Sequence, residues 1–253
     1  MILVEKIRIP ALPTENPRRL YIYLPKDYDK TDARYPVLYM FDGHNVFYDS
    51  HATYGKSWGM KEYLERTKLP LILVAVECNP EGFRRLYEYS PWDFSAPRPL
   101  GNVQGLGKVT MDWFTEELKP GIDAAYRTLP DREHTMIAGS SFGGLITVYA
   151  AVEYNHVFSR AAALSPSLWV SPSKMREMIK THPMANPTRI YLDMGTGEID
   201  NRRRVLSSMF ELAKNLSLAG ADVSANVIPD AVHNEAAWEK RIPDFMKYLY
   251  PSA

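Results

Sequence analysis

The sequence predicts an α/β protein with a mostly parallel, doubly wound sheet, helices on both faces and no separate lid domain. Three observations predict it. Apolar runs of strand length alternate with segments of helical periodicity along most of the chain, the pattern that builds parallel βαβ units. Two of those runs, Tyr35–Phe41 and Leu69–Cys78, are apolar almost throughout, as strands covered on both faces are. The length of 253 residues suits one domain, 1–253, with a sizeable core.

The elements follow in order. Strands are expected at Glu5–Ala11 and at Arg19–Pro25, where Leu20, Ile22 and Leu24 alternate, and then at Tyr35–Phe41. A helix over Trp58–Arg66 leads into the strand Leu69–Cys78. Residues 79–105 carry proline, arginine and aromatics without a period and read as a long irregular loop, of the kind that is functional or ordered by packing. Trp113, Phe114, Leu118, Ile122 and Ala125 fall at helical spacing within Thr110–Tyr126. Pro120 demands a kink or a break there, since it has no N–H to donate. Beyond a buried strand from Thr135 come a helix (Leu145–Tyr154), a strand (Arg160–Leu164), a helix (Ser173–Lys180) and a strand (Arg189–Met194). The helix Arg202–Ala219 stops at Gly220, a residue suited to the left-handed C′ position. A strand, Asp222–Pro229, and a helix, Glu235–Tyr248, complete the pattern, with no internal repeat.

Composition excludes several classes. Thirty basic residues balance thirty acidic ones, so neither nucleic acid nor an anionic membrane is an expected partner. Self-association stays open. The single cysteine, Cys78, excludes an internal disulfide framework and reads as a buried, inert thiol. Met1–Pro10 lacks the apolar stretch of a signal peptide, and no run reaches membrane-spanning length. The expectation is a soluble, cytoplasmic protein. No H-E-x-x-H, paired-cysteine or Walker pattern is present, so no metal or organic cofactor is expected.

The chemistry concentrates at Thr135-Met-Ile-Ala-Gly139-Ser140-Ser141-Phe142-Gly143-Gly144. A G-x-S-x-G between a strand and a helix is a nucleophile elbow, a tight turn that lifts one serine hydroxyl above the sheet. Ser141 is the candidate nucleophile, at a helix N-terminus whose free N–H groups favour negative charge. A serine needs a base within hydrogen-bond reach. Only His156, His182 and His233 follow it. His156 closes the helix after the elbow and His182 precedes the candidate acids, whereas His233 lies in the turn after the last strand. The acid should follow the strand that ends near Met194. Glu198, just past Gly195-Thr-Gly197, is favoured over Asp200, which can cap the next helix, and over Asp193, which falls inside the strand. Backbone donors for an oxyanion would come from Phe142, after the nucleophile, and from the Asp42-Gly43-His44-Asn45 turn, with the His44 N–H preferred. Each such donor is typically worth about 3–4 kcal/mol in a transition state.

These residues, with Tyr39-Met-Phe-Asp-Gly-His-Asn-Val-Phe47, Glu88-Tyr-Ser-Pro-Trp92, the block Glu116 to Gly144 and Leu164-Ser-Pro-Ser-Leu-Trp169, resemble the putative-esterase group of α/β-hydrolases over nearly the whole chain. That group holds carbohydrate esterases (acetyl xylan and feruloyl esterases), enterochelin-type siderophore esterases, S-formylglutathione hydrolases and mycobacterial mycolyltransferases. The formylglutathione hydrolases carry a different His-Gly loop after the third strand, so that branch is disfavoured. The resemblance implies the α/β-hydrolase fold, a Ser141–Glu198–His233 triad, His44 and Phe142 as oxyanion donors, and ester hydrolysis through an acyl-enzyme. Acetylated or feruloylated carbohydrate is the first expectation for the substrate. A siderophore trilactone is the alternative, kept open by Arg84, Arg85 and Arg98. An acyltransferase and a non-catalytic binding module of the same fold are further alternatives. Asp42, Asn45, Trp58 and Trp169 are expected to touch substrate, with Tyr48, Tyr54 and Trp92 as further aromatics near the site.

Overall fold

The computed structural model describes residues 1–12, 16–198 and 202–250. Its strands are β1 (Ile2–Ile7), β2 (Arg18–Tyr23), β3 (Val37–Met40), β4 (Ile72–Val76), β5 (Phe94–Ala96), β6 (Gly101–Val103), β7 (Thr135–Ser140), β8 (Arg160–Leu164), β9 (Arg189–Gly195) and β10 (Asp222–Ile228). Eight of them form one sheet in the order β1-β2-β4-β3-β7-β8-β9-β10, and β5 and β6 make a separate hairpin. β1 and β2 run antiparallel to their neighbours. From β4 to β10 every pairing is parallel. This is the α/β-hydrolase architecture, with the candidate residues at the carboxyl ends of β7, β9 and β10 and after β3.

The helices are α1 (Met60–Thr67), α2 (Arg84–Tyr89), α3 (Gly107–Trp113), α4 (Lys119–Ala125), α5 (Phe142–Glu153), α6 (Pro172–Thr181), α7 (Arg202–Leu218), α8 (Glu235–Glu239) and α9 (Ile242–Leu249). They cover both faces of the sheet, and the strand alternation divides the core in two. Leu20, Ile22, Tyr39 and Ile137 pack with residues of α3, α5, α6 and α7. Tyr21, Tyr23, Leu38 and Met136 pack with α1 and α9. Nearly every residue of α5 is buried, as befits a helix apolar on all sides. Among the described residues no helix is long and apolar enough to cross a membrane.

Four segments depart from the sequence expectation. The first strand lies at Ile2–Ile7 and not at Glu5–Ala11, because it pairs with β2 from Ile2 opposite Tyr23 to Ile7 opposite Arg18. Residues 79–105 are ordered by α2 and by the β5–β6 hairpin, because buried Glu88 pairs with buried Arg18 of β2 and accepts the Asn79 N–H at 3.2 Å. Helix 110–126 continues through Pro120 with helical backbone. A π-type turn over Phe114–Leu118 joins α3 to α4 and places the proline at the start of α4, where a missing N–H costs nothing. The final helix is two, since α9 restarts with Pro243 in its first turn and Arg241 between the two turns inward.

Candidate active site

Ser141 occupies the turn from β7 into α5 with φ 59° and ψ −121°, a backbone that non-glycine residues adopt only when their surroundings impose it. Its N–H donates to the Leu164 carbonyl, and its own carbonyl accepts from Leu145 and Ser167, each at 3.0 Å. The turn closes tightly because Gly139 has no side chain: a Cβ there would lie 2.6 Å from the Gly143 carbonyl oxygen. Phe142 is the first residue of α5, so its N–H has no intrahelical acceptor.

Glu198 and His233 meet across the loops that follow β9 and β10. His233 Nδ1 lies 3.0 Å from Glu198 Oε2, and the side chains are 43% and 1% exposed respectively. The other carboxylate oxygen, Oε1, accepts from the Gly195 N–H at 2.8 Å, from Ser165 Oγ at 2.7 Å and from Arg241 Nη2 at 2.9 Å. Three donors fix Oε1, and Oε2 is left to the imidazole. Burial acts to raise the Glu198 pKa, but the hydrogen bonds from His233, Ser165 and Arg241 outweigh it and hold the group below its ordinary value. The two loops touch because position 195 is glycine; a side chain there would collide with the Ala231 carbonyl. Trp238 stands edge-on to the His233 ring at 5.0 Å between centroids and donates its Nε1–H to Ser165 Oγ at 3.1 Å.

Asp193 lies within β9, faces Arg241 Nη1 at 2.8 Å and accepts the Ser165 N–H at 3.2 Å. It does not meet His233. Burial pushes its pKa up to about 6 against the pull of Arg241. Asp200 lies outside the described residues. His182 pairs with Glu153, in a different part of the fold.

On the other side of the elbow, Asp42 takes φ 56° and leads into a single 3-10 turn, Gly43–Asn45. Its carboxylate is buried, with one oxygen on Arg85 Nε and the other on Arg85 Nη2, both at 2.7 Å, and its N–H donates to the Tyr89 hydroxyl at 3.1 Å. Burial alone would raise its pKa; Arg85 reverses the direction. The His44 ring contacts Thr53 Oγ1 through Nε2 at 3.0 Å, and burial lowers its pKa. Asn45 is buried, donating to Glu235 Oε1 at 3.1 Å and accepting the Thr53 N–H at 2.9 Å.

Of the four residues expected to touch substrate, three therefore serve the frame. Asp42 and Asn45 have their polar groups committed inside the protein. Trp58 is 3% exposed and packs on Trp238 and Phe245 at 5.7 and 6.2 Å. Apolar bulk explains Trp58, and a buried turn that must satisfy its own polar groups explains the other two. Trp169 is 57% exposed, edge-on to Phe94 and Phe142 at 5.5 and 5.7 Å. Tyr54 is exposed, and Trp92 packs edge-on to Tyr149.

The sequence reading missed Ser165, Arg241 and Glu235, and it offered Arg85 as a cation for a siderophore whereas Arg85 is committed to Asp42. Ser165 stood inside a quoted motif without a role. Arg241 gave a usable signal, a charge on the apolar stripe that Trp238, Ile242 and Phe245 define, where an unpaired cation would be costly.

With this geometry in view, the comparisons are consistent. The model of a family described as putative esterase matches residues 13–249, so the chain belongs to that family and is a carboxylic-ester hydrolase. Uncharacterized protein YbbA of Bacillus subtilis (strain 168) is 23% identical over 243 residues, 92% of each chain. An IroE-like serine hydrolase from Shewanella oneidensis superposes with a TM-score of 0.78 at 19% identity, covering 98% of this chain and 79% of that one. Siderophore hydrolase EstA from Aspergillus nidulans gives 0.74 at 17% identity, over 100% and 95% of the two chains. A ferulic acid esterase gives 0.70 at 17% identity, over 98% and 97%. At such identities the structures share the fold with this chain.

Proposed function

We propose that Ser141, His233 and Glu198 hydrolyse esters of acylated carbohydrates, carrying acetyl or feruloyl groups, by two-step acyl transfer. The observation that carries the reading is the 3.0 Å contact of Glu198 Oε2 with His233 Nδ1, in loops that flank a serine held in an elbow. With Nδ1–H donated to the carboxylate, Nε2 is the basic nitrogen. It takes the Ser141 proton as Oγ attacks the ester carbonyl, while the Phe142 and His44 N–H groups stabilise the oxyanion. The proton passes to the leaving alcohol, and His233 then activates the water that cleaves the acyl-enzyme. Glu198 fixes the tautomer and stabilises the imidazolium.

Two features support the substrate class. Trp169, Phe94 and Phe142 form an aromatic surface beside the nucleophile, suited to an aromatic acyl group or the face of a sugar. A siderophore trilactone carrying ferric catecholate is strongly anionic, and among the described residues Arg85, on Asp42, and Arg241, on Asp193 and Glu198, are already paired.

The test is a hydrolysis panel on the protein and its Ser141→Ala variant: p-nitrophenyl acetate, methyl ferulate, acetylated xylo-oligosaccharide and a catecholate trilactone. Ser141-dependent turnover of the carbohydrate ester, with Glu198→Gln slower by about 10³–10⁴, supports the proposal. Preference for the trilactone overturns the substrate class. Transester product formed with an added sugar alcohol would identify a transferase. Inactivity throughout, without labelling of Ser141 by a fluorophosphonate, would leave a binding module.

A further inference from the structure

The β5–β6 hairpin and the end of α2 enclose a groove of about 450 Å³ whose walls include Tyr87, Asp93, Phe94, Ser95, Asn102 and Gln104. Internal hydrogen bonds organise its polar groups. Ser95 Oγ donates to Asn102 Oδ1 at 2.7 Å, which leaves the Asn102 amide N–H groups as donors. The Gly105 N–H donates to Asp93 Oδ1 at 2.8 Å, which leaves the second carboxylate oxygen as an acceptor. The Tyr87 hydroxyl donates to the Asn102 carbonyl at 3.2 Å and fixes the ring against the hairpin. Gln104, exposed, adds one amide with both functions.

Phe94 links this groove to the elbow. Its half-buried ring lies 5.5 Å from Trp169 and 6.1 Å from Phe142, the residue after the nucleophile. The walls therefore combine aromatic faces with convergent amide and carboxylate groups and carry one acid, Asp93. That combination fits a neutral ligand with an apolar face and hydroxyls at its rim. An acyl chain would leave the polar groups unmatched, and an anion would meet Asp93 without a facing cation in the wall.

We propose that this groove is a saccharide subsite that receives the alcohol portion of the ester while the acyl carbonyl lies at Ser141, a proposal that rests on the carbohydrate-ester reading. It gives the 79–105 segment a role in substrate choice, separate from the bond-breaking groups.

Two measurements test it. The first is isothermal titration with unesterified xylotriose, which needs no turnover. Saturable binding that Phe94→Ala and Gln104→Ala each weaken by about fivefold, the loss of roughly one contact, is the expected result. The second is the ratio of kcat/KM for acetylated xylo-oligosaccharide over kcat/KM for methyl ferulate. Gln104→Ala, which leaves the aromatic surface beside Ser141 intact, should lower it by about fivefold. Near-UV circular dichroism guards against misfolding of Phe94→Ala, and exposed Gln104 is the safer substitution. Binding that both variants leave at the wild-type value, with a ratio that Gln104→Ala leaves unchanged, overturns the subsite even if carbohydrate esters prove to be substrates. Xylotriose binding lost in both variants, in a protein that hydrolyses no carbohydrate ester, would keep the subsite and reject the substrate class instead.

Discussion

Arg241 Nη2 lies 2.9 Å from Glu198 Oε1 while Nη1 of the same guanidinium lies 2.8 Å from Asp193 Oδ1. One buried cation thus holds two carboxylates apart, and only one of them is presented to the histidine. Arg241→Met would leave two acids in the core without a counter-charge. Loss of one partner of a buried pair costs about 3–5 kcal/mol, and urea unfolding should show a drop of that order. Ser165→Ala removes a smaller piece of the same assembly and should lower kcat by about tenfold with the fold retained. An Arg241→Met protein of wild-type stability would refute the arrangement.

Ser141, the proposed nucleophile, carries backbone strain at φ 59° and ψ −121°. Ser141→Gly should abolish turnover and, by relieving a conformation worth about 1–3 kcal/mol, offset the extra chain entropy of glycine. Thermal unfolding is expected to show an inactive variant more stable than its parent by about 1 kcal/mol. A variant less stable by about 1 kcal/mol, the full entropic cost of glycine, would mean that the turn is not under strain.

Asp193 sets a pH dependence of unusual sign. In the unfolded chain it ionises near pH 4, and in the fold at about 6 because of burial. Between those values the folded protein keeps a proton that the unfolded chain has released. The stability linked to that proton is present at pH 4 and is lost as pH rises to 6, by about 1–3 kcal/mol. Glu198 and Asp42, whose pKa values are lowered, act in the opposite sense, their contribution being lost as pH falls through and below their ordinary values near pH 4, and they are common to both proteins in a comparison. His44, lowered by burial, acts in the opposite sense within the window and is common to both proteins in a comparison. The stability difference between the wild type and Asp193→Asn should therefore change steadily from pH 4 to 6; a constant difference would count against the raised value.

Glu235 joins the loop that carries His44 to the loop that carries His233. Through Asn45 it ties the turn carrying His44 to the segment two residues beyond His233. Glu235→Ala should cut kcat by about tenfold with little change in KM, whereas Glu235→Gln keeps an acceptor for Asn45 and should stay within about threefold of wild type. Steady-state kinetics on p-nitrophenyl acetate distinguishes a positioning role, which Gln rescues, from a need for the charge, which it does not.

What the sequence disclosed follows from what is local. Strand Arg160–Leu164 has the expected bounds, and α7 and β10 nearly so, because period and turn residues act over a few positions. The contact of Glu198 with His233 was anticipated from chain order and from Gly195-Thr-Gly197. The supports were not. Arg18–Glu88, Asp42–Arg85 and Asn45–Glu235 join positions 70, 43 and 190 residues apart, and no periodicity connects such pairs. Trp58 and Trp169 look alike in the chain, yet one faces the core and the other solvent, a difference that only packing decides.

The lateness of Arg241 in the chain has a consequence for biosynthesis. A polypeptide is made from its amino terminus, and Ser141, Glu198 and His233 all leave the ribosome before the arginine that steadies the acid. Until the segment around Arg241 has emerged and docked, both carboxylates lack their shared cation and Glu198 lacks one of the three donors that fix it. The proposed machinery would thus be steadied only after a residue that follows all three of its members in the chain has been made.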